Sequence, residues 1–595
     1  MNNGQRLFDC LDSQLLQGGT TRALVAKHDG QWHAFSTSEV KSIVDRLSAG
    51  LLAMGIGCGD MTVEGRDKVA LLSKNRPEWI FIDLAVQQIG AVLVPIYPTA
   101  HSNDISFIFR DANVKMVFVN DLELLQKVEA VQQMNNSNQP VYTIEKFTDV
   151  PHWEELLDKG NEQHFRQAKE NAARIRSEDL FTIIYTSGTT GTPKGVMLSH
   201  RNVYSNVMST LPGFPIRKNT RVLSFLPLNH IFERMVTYLY LFAGASIHYA
   251  ENLDSLGDNI RQVKPEMFTT VPRLLEKVYE RIITKGSEQK GVVKKLFFWA
   301  VRLGEQYDVN VKGSFSYRAQ LYLANKIIFS KWRKGLGNSL KCIITGAAAC
   351  QVKLIRIFTA AGIPILEGYG QTESSPVISV NRLDEGTCFF GTVGPIIDGV
   401  QVKIAEDGEI LCKGPNVMMG YYKRPDLTAD TVKDGWLYTG DIGTLIENKY
   451  LKITDRKKEI FKTSGGKYVA PQPIENKLVE SPLIEQVMVV GADQKFTAAM
   501  IVPAFKVLRE KYRETIDNKS VEEIVTMPEI TALIHSEVEK MNVNFNQVEQ
   551  IKKIVLLPKE WTVESGELTP TLKLKRKVIM ERYHQAFNYL YNGTH

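Results

Sequence analysis

Cysteine is sparse in this chain and never closely paired. Cys10, Cys58, Cys342, Cys350, Cys388 and Cys412 are the six in 595 residues, with no Cys-x-x-Cys among them. That pattern argues against structural zinc and against a disulfide framework, and it suits a reducing cytosol. Long apolar runs are missing as well. None reaches the roughly 18 residues that span a bilayer, so an integral membrane protein is not expected. The opening Met1-Asn2-Asn3-Gly4-Gln5-Arg6 leads into mixed polar sequence and not into an apolar signal core. Charge of one sign is also lacking: a net +6, spread evenly, is too weak to predict nucleic acid as a partner. What remains, 44% hydrophobic and 23% charged over 595 residues, describes an ordinary globular protein with more than one core.

The densest chemistry lies in Tyr185-Thr186-Ser187-Gly188-Thr189-Thr190-Gly191-Thr192-Pro193-Lys194-Gly195-Val196, which reads as a loop. A β-branched run, Leu180 to Tyr185, precedes it as a strand, and Ser199 with Asn202 offers a helix start after it. Glycines that turn backbone N–H groups toward a ligand, several hydroxyls and the mobile cation of Lys194 suit a polyphosphate. A Walker P-loop needs Gly before the lysine and Ser or Thr after it, whereas Pro193 and Gly195 flank Lys194. A polar surface turn is the alternative reading of this composition.

Upstream, Lys68–Leu72 and Ala91–Ile96 read as strands around a helix opened by Pro77 and running to Ile89. Repetition of that order predicts parallel sheets with packed helices. His230 follows the strand-like Arg221–Pro227 where a helix begins; taken alone it is more often a satisfied core or surface histidine. His230-x-x-Glu233-Arg234 lacks zincin spacing. Between Leu274 and Leu340, basic residues interleave with Phe297, Phe298 and Trp299. Docking on an anionic bilayer and plain helices with solvated charges both fit, the second being the ordinary outcome. Gly346-Ala347-Ala348 after a short strand lets a flat group approach the backbone. In Tyr369-Gly370-Gln371-Thr372-Glu373 an aromatic face, a hydroxyl and a hard carboxylate suited to Mg²⁺ stand together. Asp441 can accept from both hydroxyls of a ribose.

Ser187-Gly188-Thr189-Thr190-Gly191-x-Pro193-Lys194-Gly195, followed downstream by Tyr369-Gly370-x-Thr372-Glu373, resembles the two signatures of the adenylate-forming superfamily. Asn75-Arg76-Pro77-Glu78-Trp79 is similar to its N-terminal subdomain, and Val271-Pro272-Arg273-Leu274-Leu275-Glu276-Lys277 to its long-chain fatty-acid–CoA ligases. Gly420-Tyr421-Tyr422 looks like part of its β-rich subdomain, with a structural role. The resemblance implies a mixed α/β fold: a large N-terminal domain, 1–454, of parallel-type sheets with a β-rich subdomain, and a small mobile α+β domain, 455–595.

It further implies ATP, Mg²⁺ and CoA, and a fatty acid converted to acyl-AMP and then acyl-CoA. Lys573, in Thr571-Leu572-Lys573 where relatives usually have Thr-Gly-Lys, is the implied catalytic lysine. His230 falls at the floor of the carboxylate pocket, with Thr189, Lys194 and Glu373 as further catalytic groups. Thr186, Ser187, Gly188, Thr190, Gly191, Gly346, Ala347, Ala348, Tyr369, Gly370, Gln371, Thr372, Asp441 and Arg456 are nucleotide contacts. Lys458 is the pivot, and Ser464, Gly465 and Gly466 face CoA. Residues near Phe232–Leu241 and Gly368–Ile378 are tunnel candidates. A different acid or acceptor, or a non-catalytic fatty-acid binder on this scaffold, are the rival readings. The expected location is cytoplasmic with peripheral membrane contact, and the oligomeric state is open.

Overall fold

The computed structural model describes residues 6–187, 193–457, 459–569 and 572–592. Two large sheets form the body of the chain. In the seven-stranded sheet, Leu180–Ser187, Val92–Pro95, Lys68–Leu72, Val114–Val119 and Val141–Thr143 run parallel in that spatial order. Lys68–Leu72 and Val92–Pro95 are buried at every position, as parallel strands covered on both faces must be. The eight-stranded sheet has a parallel centre of Ile365–Gly370, Cys342–Thr345, Met267–Thr270, Arg221–Ser224, Ser246–Tyr249 and Leu24–His28. Antiparallel strands Val377–Val380 and Gln31–Phe35 close its two edges. One continuous apolar core joins the sheets, and the buried helix Pro77–Gln88, started by Pro77 at its first position, lies within it.

An antiparallel sheet of Gln401–Ile404, Glu409–Lys413, Val432–Lys433, Trp436–Ile446 and Tyr450–Arg456 follows. The C-terminal domain has its own three-stranded sheet, Ile484–Val490, Ala498–Pro503 and Lys553–Leu556. Its apolar clusters draw only on residues from 461 onward. No helix among the described residues is long and apolar enough to cross a membrane.

Three local readings change. The stretch read as a loop from Tyr185 is largely a hairpin: Leu180–Ser187 pairs antiparallel with Pro193–Ser199, Thr186 opposite Lys194. Gly195 makes the pairing possible, since a Cβ there would stand 2.7 Å from Ile183 and 3.1 Å from the Tyr185 ring. Gly420–Tyr421 joins this hairpin and not the antiparallel subdomain. The boundary expected at 454/455 falls inside the strand Tyr450–Arg456, where Arg456 pairs with Asp441 and Asp455 is buried.

Candidate active site

The hairpin brings Lys194 to the edge strand Gly420–Tyr421, where its Nζ sits 5.5 Å from the centre of the Tyr421 ring. The Tyr421 hydroxyl donates to Glu373 Oε1 at 2.9 Å. Burial, with Glu373 beside it, pushes that phenol upward, so it remains a donor. Glu373 lies in the single turn Thr372–Ser374, whose start is held by Gln371 N–H donating to Ser374 Oγ. Thr372 is buried, and Gln371 Nε2 donates to the Thr439 carbonyl at 3.3 Å.

Behind this turn, Ile365–Gly370 ends in Tyr369, whose hydroxyl donates to Asp441 Oδ2 at 2.7 Å. The other Asp441 oxygen lies 3.5 Å from Arg456 Nε, a consequence of their pairing across two strands. Burial raises the Asp441 carboxyl, and Arg456 and Tyr369 pull it back. Gly346 and Ala347 leave the end of Cys342–Thr345 alongside. A Cβ on Gly346 would meet the Gly368 carbonyl at 3.2 Å, and Ala347 holds a φ of +69°. Ala348 is exposed and lies outside the cavity lining that includes Gly346 and Ala347.

His230 caps the Ile231–Phe242 helix: its Nδ1 accepts from Phe232 N–H at 3.2 Å. Burial and nearby Lys573 hold the imidazole down at about 4, so it is neutral and carries its hydrogen on Nε2. The two neighbouring charged residues fix this helix. Glu233 accepts from Ser224 Oγ at 2.6 Å and from Thr269 Oγ1. Arg234 spans Asp83 at 2.5 Å and Thr182 at 2.7 Å. Both are fully buried, so each depends on these partners.

Lys573 enters from the C-terminal domain on a tight turn. Its N–H donates to Thr569 Oγ1 at 3.0 Å, Thr569 N–H returns to its carbonyl at 2.8 Å, and Leu572 takes a φ of +62°. Burial first, then repulsion from Arg456, lowers the Lys573 ammonium to about 8, against the opposing pull of Asp441, Glu459 and Glu373. One cation carried by the C-terminal domain thus comes within electrostatic reach of His230, Glu373 and Asp441. Next to it runs an apolar cavity lined by both tunnel-candidate segments, through Phe232, Met235, Val236, Leu239, Gly368, Tyr369 and Val377.

Ser464, Gly465 and Gly466 are exposed at the turn between Phe461–Lys462 and Tyr468–Val469. Gly188, Thr189, Thr190, Gly191 and Lys458 lie outside the described residues, as does the Ser187 side chain. Among the described residues, no three His, Cys, Asp or Glu gather as a metal cluster. Sequence reasoning missed Tyr421, which a Gly-Tyr-Tyr string gave no reason to place beside Glu373. It also missed Glu459, which stands 3.8 Å from Arg456 and 3.2 Å from Arg576. A third omission crosses the domains: Arg273 binds Glu485 as well as Glu276.

Residues 11–422 match the family model described as AMP-binding enzyme, and residues 458–595 match the AMP-binding enzyme C-terminal domain. A long-chain-fatty-acid–CoA ligase of Mycobacterium tuberculosis is 31% identical over 573 residues, covering 95% of this chain and 93% of that protein. Long-chain-fatty-acid–CoA ligase 5 of Mus musculus is 32% identical, covering 88% of this chain and 80% of its own length. Among solved structures, the adenylation domain of a carboxylate reductase from Mycobacterium chelonae superposes with a TM-score of 0.74 at 20% identity, covering 99% and 92%. The Mycobacterium tuberculosis fatty acyl CoA synthetase superposes at 0.63 and 21%, covering 98% and 99%. At those identities the two structures speak for the fold.

Proposed function

The chain belongs to the AMP-binding enzyme family, and from that premise we propose that it is a long-chain fatty-acid–CoA ligase. It activates a fatty acid with ATP to acyl-AMP and pyrophosphate, then passes the acyl group to CoA, releasing AMP. The ligase relatives support this reading, and so does the apolar cavity beside the polar cluster. The observation that carries it is that the C-terminal domain brings the Lys573 ammonium within electrostatic reach of Asp441, Glu373 and His230, the last of which lines that cavity.

In the first step a carboxylate oxygen bonds to the α-phosphorus and the bond to pyrophosphate breaks. Two anions must approach, so positioned cations and donors do the work and no base is needed. Lys573 places its ammonium between the reacting groups, and neutral His230 presents Nε2–H to the carboxylate. Thr186 to Gly191, with Thr189 and Lys194, cradle the phosphates. Asp441 and Arg456 take the ribose, while Gly346, Ala347, Ala348, Tyr369, Gly370, Gln371 and Thr372 surround the rest of the nucleotide. Glu373 is the hard oxygen donor that would hold Mg²⁺, whose charge would offset that of the triphosphate.

In the second step the CoA sulfur bonds to the acyl carbonyl carbon, the bond to AMP breaks, and the thiol proton leaves to solvent. Lys573 has no task there. We place the pivot at Lys458, just past the strand Tyr450–Arg456 that a division at 454/455 would split, with rotation withdrawing Lys573 and presenting Ser464, Gly465 and Gly466. The reading also puts the protein in the cytoplasm, in peripheral contact with a membrane.

The test is acid-dependent exchange of pyrophosphate into ATP, over free acids of increasing length, set beside thioester formation from supplied acyl-AMP. Exchange should depend on a long-chain acid. Lys573→Ala should abolish it and spare the thioester step. Equal loss of both half-reactions refutes the alternation, and no exchange with any acid refutes the ligase.

A further inference from the structure

The basic segment read as helices with solvated charges is indeed helical, but its outer surface is not only charged. Gly291–Glu305 packs inward through Phe297, Ala300 and Val301, and Phe315–Ala324 continues through a π-turn, Asn325–Phe329, into Ser330–Gly335. Tyr317 Oη donates to the Leu303 carbonyl at 2.9 Å and Trp299 Nε1 to Gln320 Oε1 at 3.2 Å. These two bonds set the helices antiparallel, because a higher number on one meets a lower number on the other. Val292 and Val293 therefore lie toward the same end as Leu323 and Ile327.

Phe315, Ala319, Tyr322, Leu323 and Ile327 share one helical stripe, and it points to solvent. Phe315 is 83% exposed, Tyr322 72% and Val292 70%, far more than side chains that pack on their own domain. Between residues 289 and 335 there are ten Lys or Arg and only two acids, Glu305 and Asp308. Both acids are occupied, by Lys353 and Arg356. Lys290, Lys294, Lys295, Lys326 and Lys331 stay exposed around the apolar stripe.

We propose that this face of the helical hairpin docks on a bilayer containing anionic lipid. Lysines would meet the headgroups while Phe315, Tyr322 and Val292 enter the boundary between headgroup and acyl chain. The inference rests on the reading of peripheral membrane contact and supplies its surface and lipid class. An acidic protein would satisfy the lysines but would leave a scattered stripe of large apolar groups, without a groove, facing polar surface.

The experiment is co-sedimentation of the full-length protein with vesicles of phosphatidylcholine alone, and of phosphatidylcholine with phosphatidylglycerol at roughly two to one. Binding is expected to the mixed vesicles and to weaken with salt. Lys294→Glu with Lys295→Glu should weaken it by about tenfold or more, and Phe315→Ser with Tyr322→Ser should do so even at low salt. Both double variants sit on the surface and should keep wild-type pyrophosphate exchange with detergent-dispersed acid, which tests the ligase reading separately. Binding that ignores both variants overturns this face while leaving peripheral contact standing. Equal binding to neutral vesicles overturns the lipid class, and no binding to either vesicle overturns both. A wild-type dimer that Phe315→Ser with Tyr322→Ser converts to monomer would reassign the stripe to self-association.

Discussion

The Arg273–Glu485 pair offers the sharpest test of how the small domain is held over the site. Arg273 opens the Pro272–Ser287 helix of the large domain, and Glu485 begins the first strand of the C-terminal sheet. Their side chains are 21% and 23% exposed, so the pair is partly shielded from solvent. Such a charge-assisted contact contributes about 1–2 kcal/mol, roughly a five- to thirtyfold bias toward the closed arrangement. Arg273 also binds Glu276 at 3.1 Å, and Glu280 lies close enough for Arg273 and Glu485 to shift it. Removing Glu485 therefore loses an attraction, whereas removing Arg273 leaves Glu485 facing Glu276 and Glu280 across the interface. Arg273→Ala should cost pyrophosphate exchange more than Glu485→Ala, and neither should slow thioester formation from supplied acyl-AMP. The loss approaches tenfold only where closure is already the minority state. The swap Arg273→Glu with Glu485→Arg should recover much of the exchange, since the arginine moved to the C-terminal strand would meet Glu276 and Glu280 as well as the new glutamate. If both half-reactions fall together, or the swap is worse than either single change, the pair is not a latch.

Further outcomes follow from the same geometry. In the proposed mechanism Lys573, lowered to about 8, acts as a cation, so exchange at limiting acid should fall as pH rises through about 8. Easing the repulsion by Arg456→Gln should move that limb upward in a pH profile. Asp441→Asn should raise the apparent KM for ATP by roughly five- to hundredfold, from about 1–3 kcal/mol of lost ribose bonding. Thioester formation from CoA should keep its dependence on CoA concentration. Glu367, buried and raised to about 8, is protonated when folded and ionised when unfolded between about 4.5 and 8. Its stabilising contribution is thus present below 4.5 and lost as pH rises through 8. Glu367→Gln can still accept from Cys350 N–H, so its thermal midpoint should exceed wild type increasingly from pH 5 to pH 8.

The parallel strands were legible because burial on both faces forces unbroken apolar runs, as in Lys68–Leu72 and Val92–Pro95. The hairpin at Thr186 and Lys194 was not. Gly and Thr signal a turn locally, whereas the pairing depends on Gly195 leaving room for Tyr185, a contact between strands. Asp441 and Arg456 could each be picked from motifs, but that they face each other follows from strand register, which a motif does not encode. Tyr421 and the Arg273–Glu485 pair were invisible for the same reason: their partners lie 48 and 212 residues away in sequence.

His230-Ile231-Phe232-Glu233-Arg234 shows how a short motif can serve a site mostly by holding it still. His230 and Phe232 line the cavity; Glu233 is tied to Ser224 and Thr269, and Arg234 to Asp83 and Thr182. The first two partners lie in or at the ends of strands in the eight-stranded sheet. The last two belong to the helix Pro77–Gln88 and to the hairpin strand that leads toward Lys194. The helix carrying His230 is thereby fixed to both sheets at once, and the Nδ1 cap fixes the ring. The large domain can hold a neutral donor rigidly because no charge at His230 has to be neutralised. The cation, by contrast, is costly to keep in a partly buried site beside Arg456, and the lowered Lys573 shows that Asp441, Glu459 and Glu373 do not offset that cost in full. On the proposed rotation, carrying it on the C-terminal domain lets substrate phosphate and carboxylate offset that cost only when they are present, so closure becomes conditional on the anions it serves.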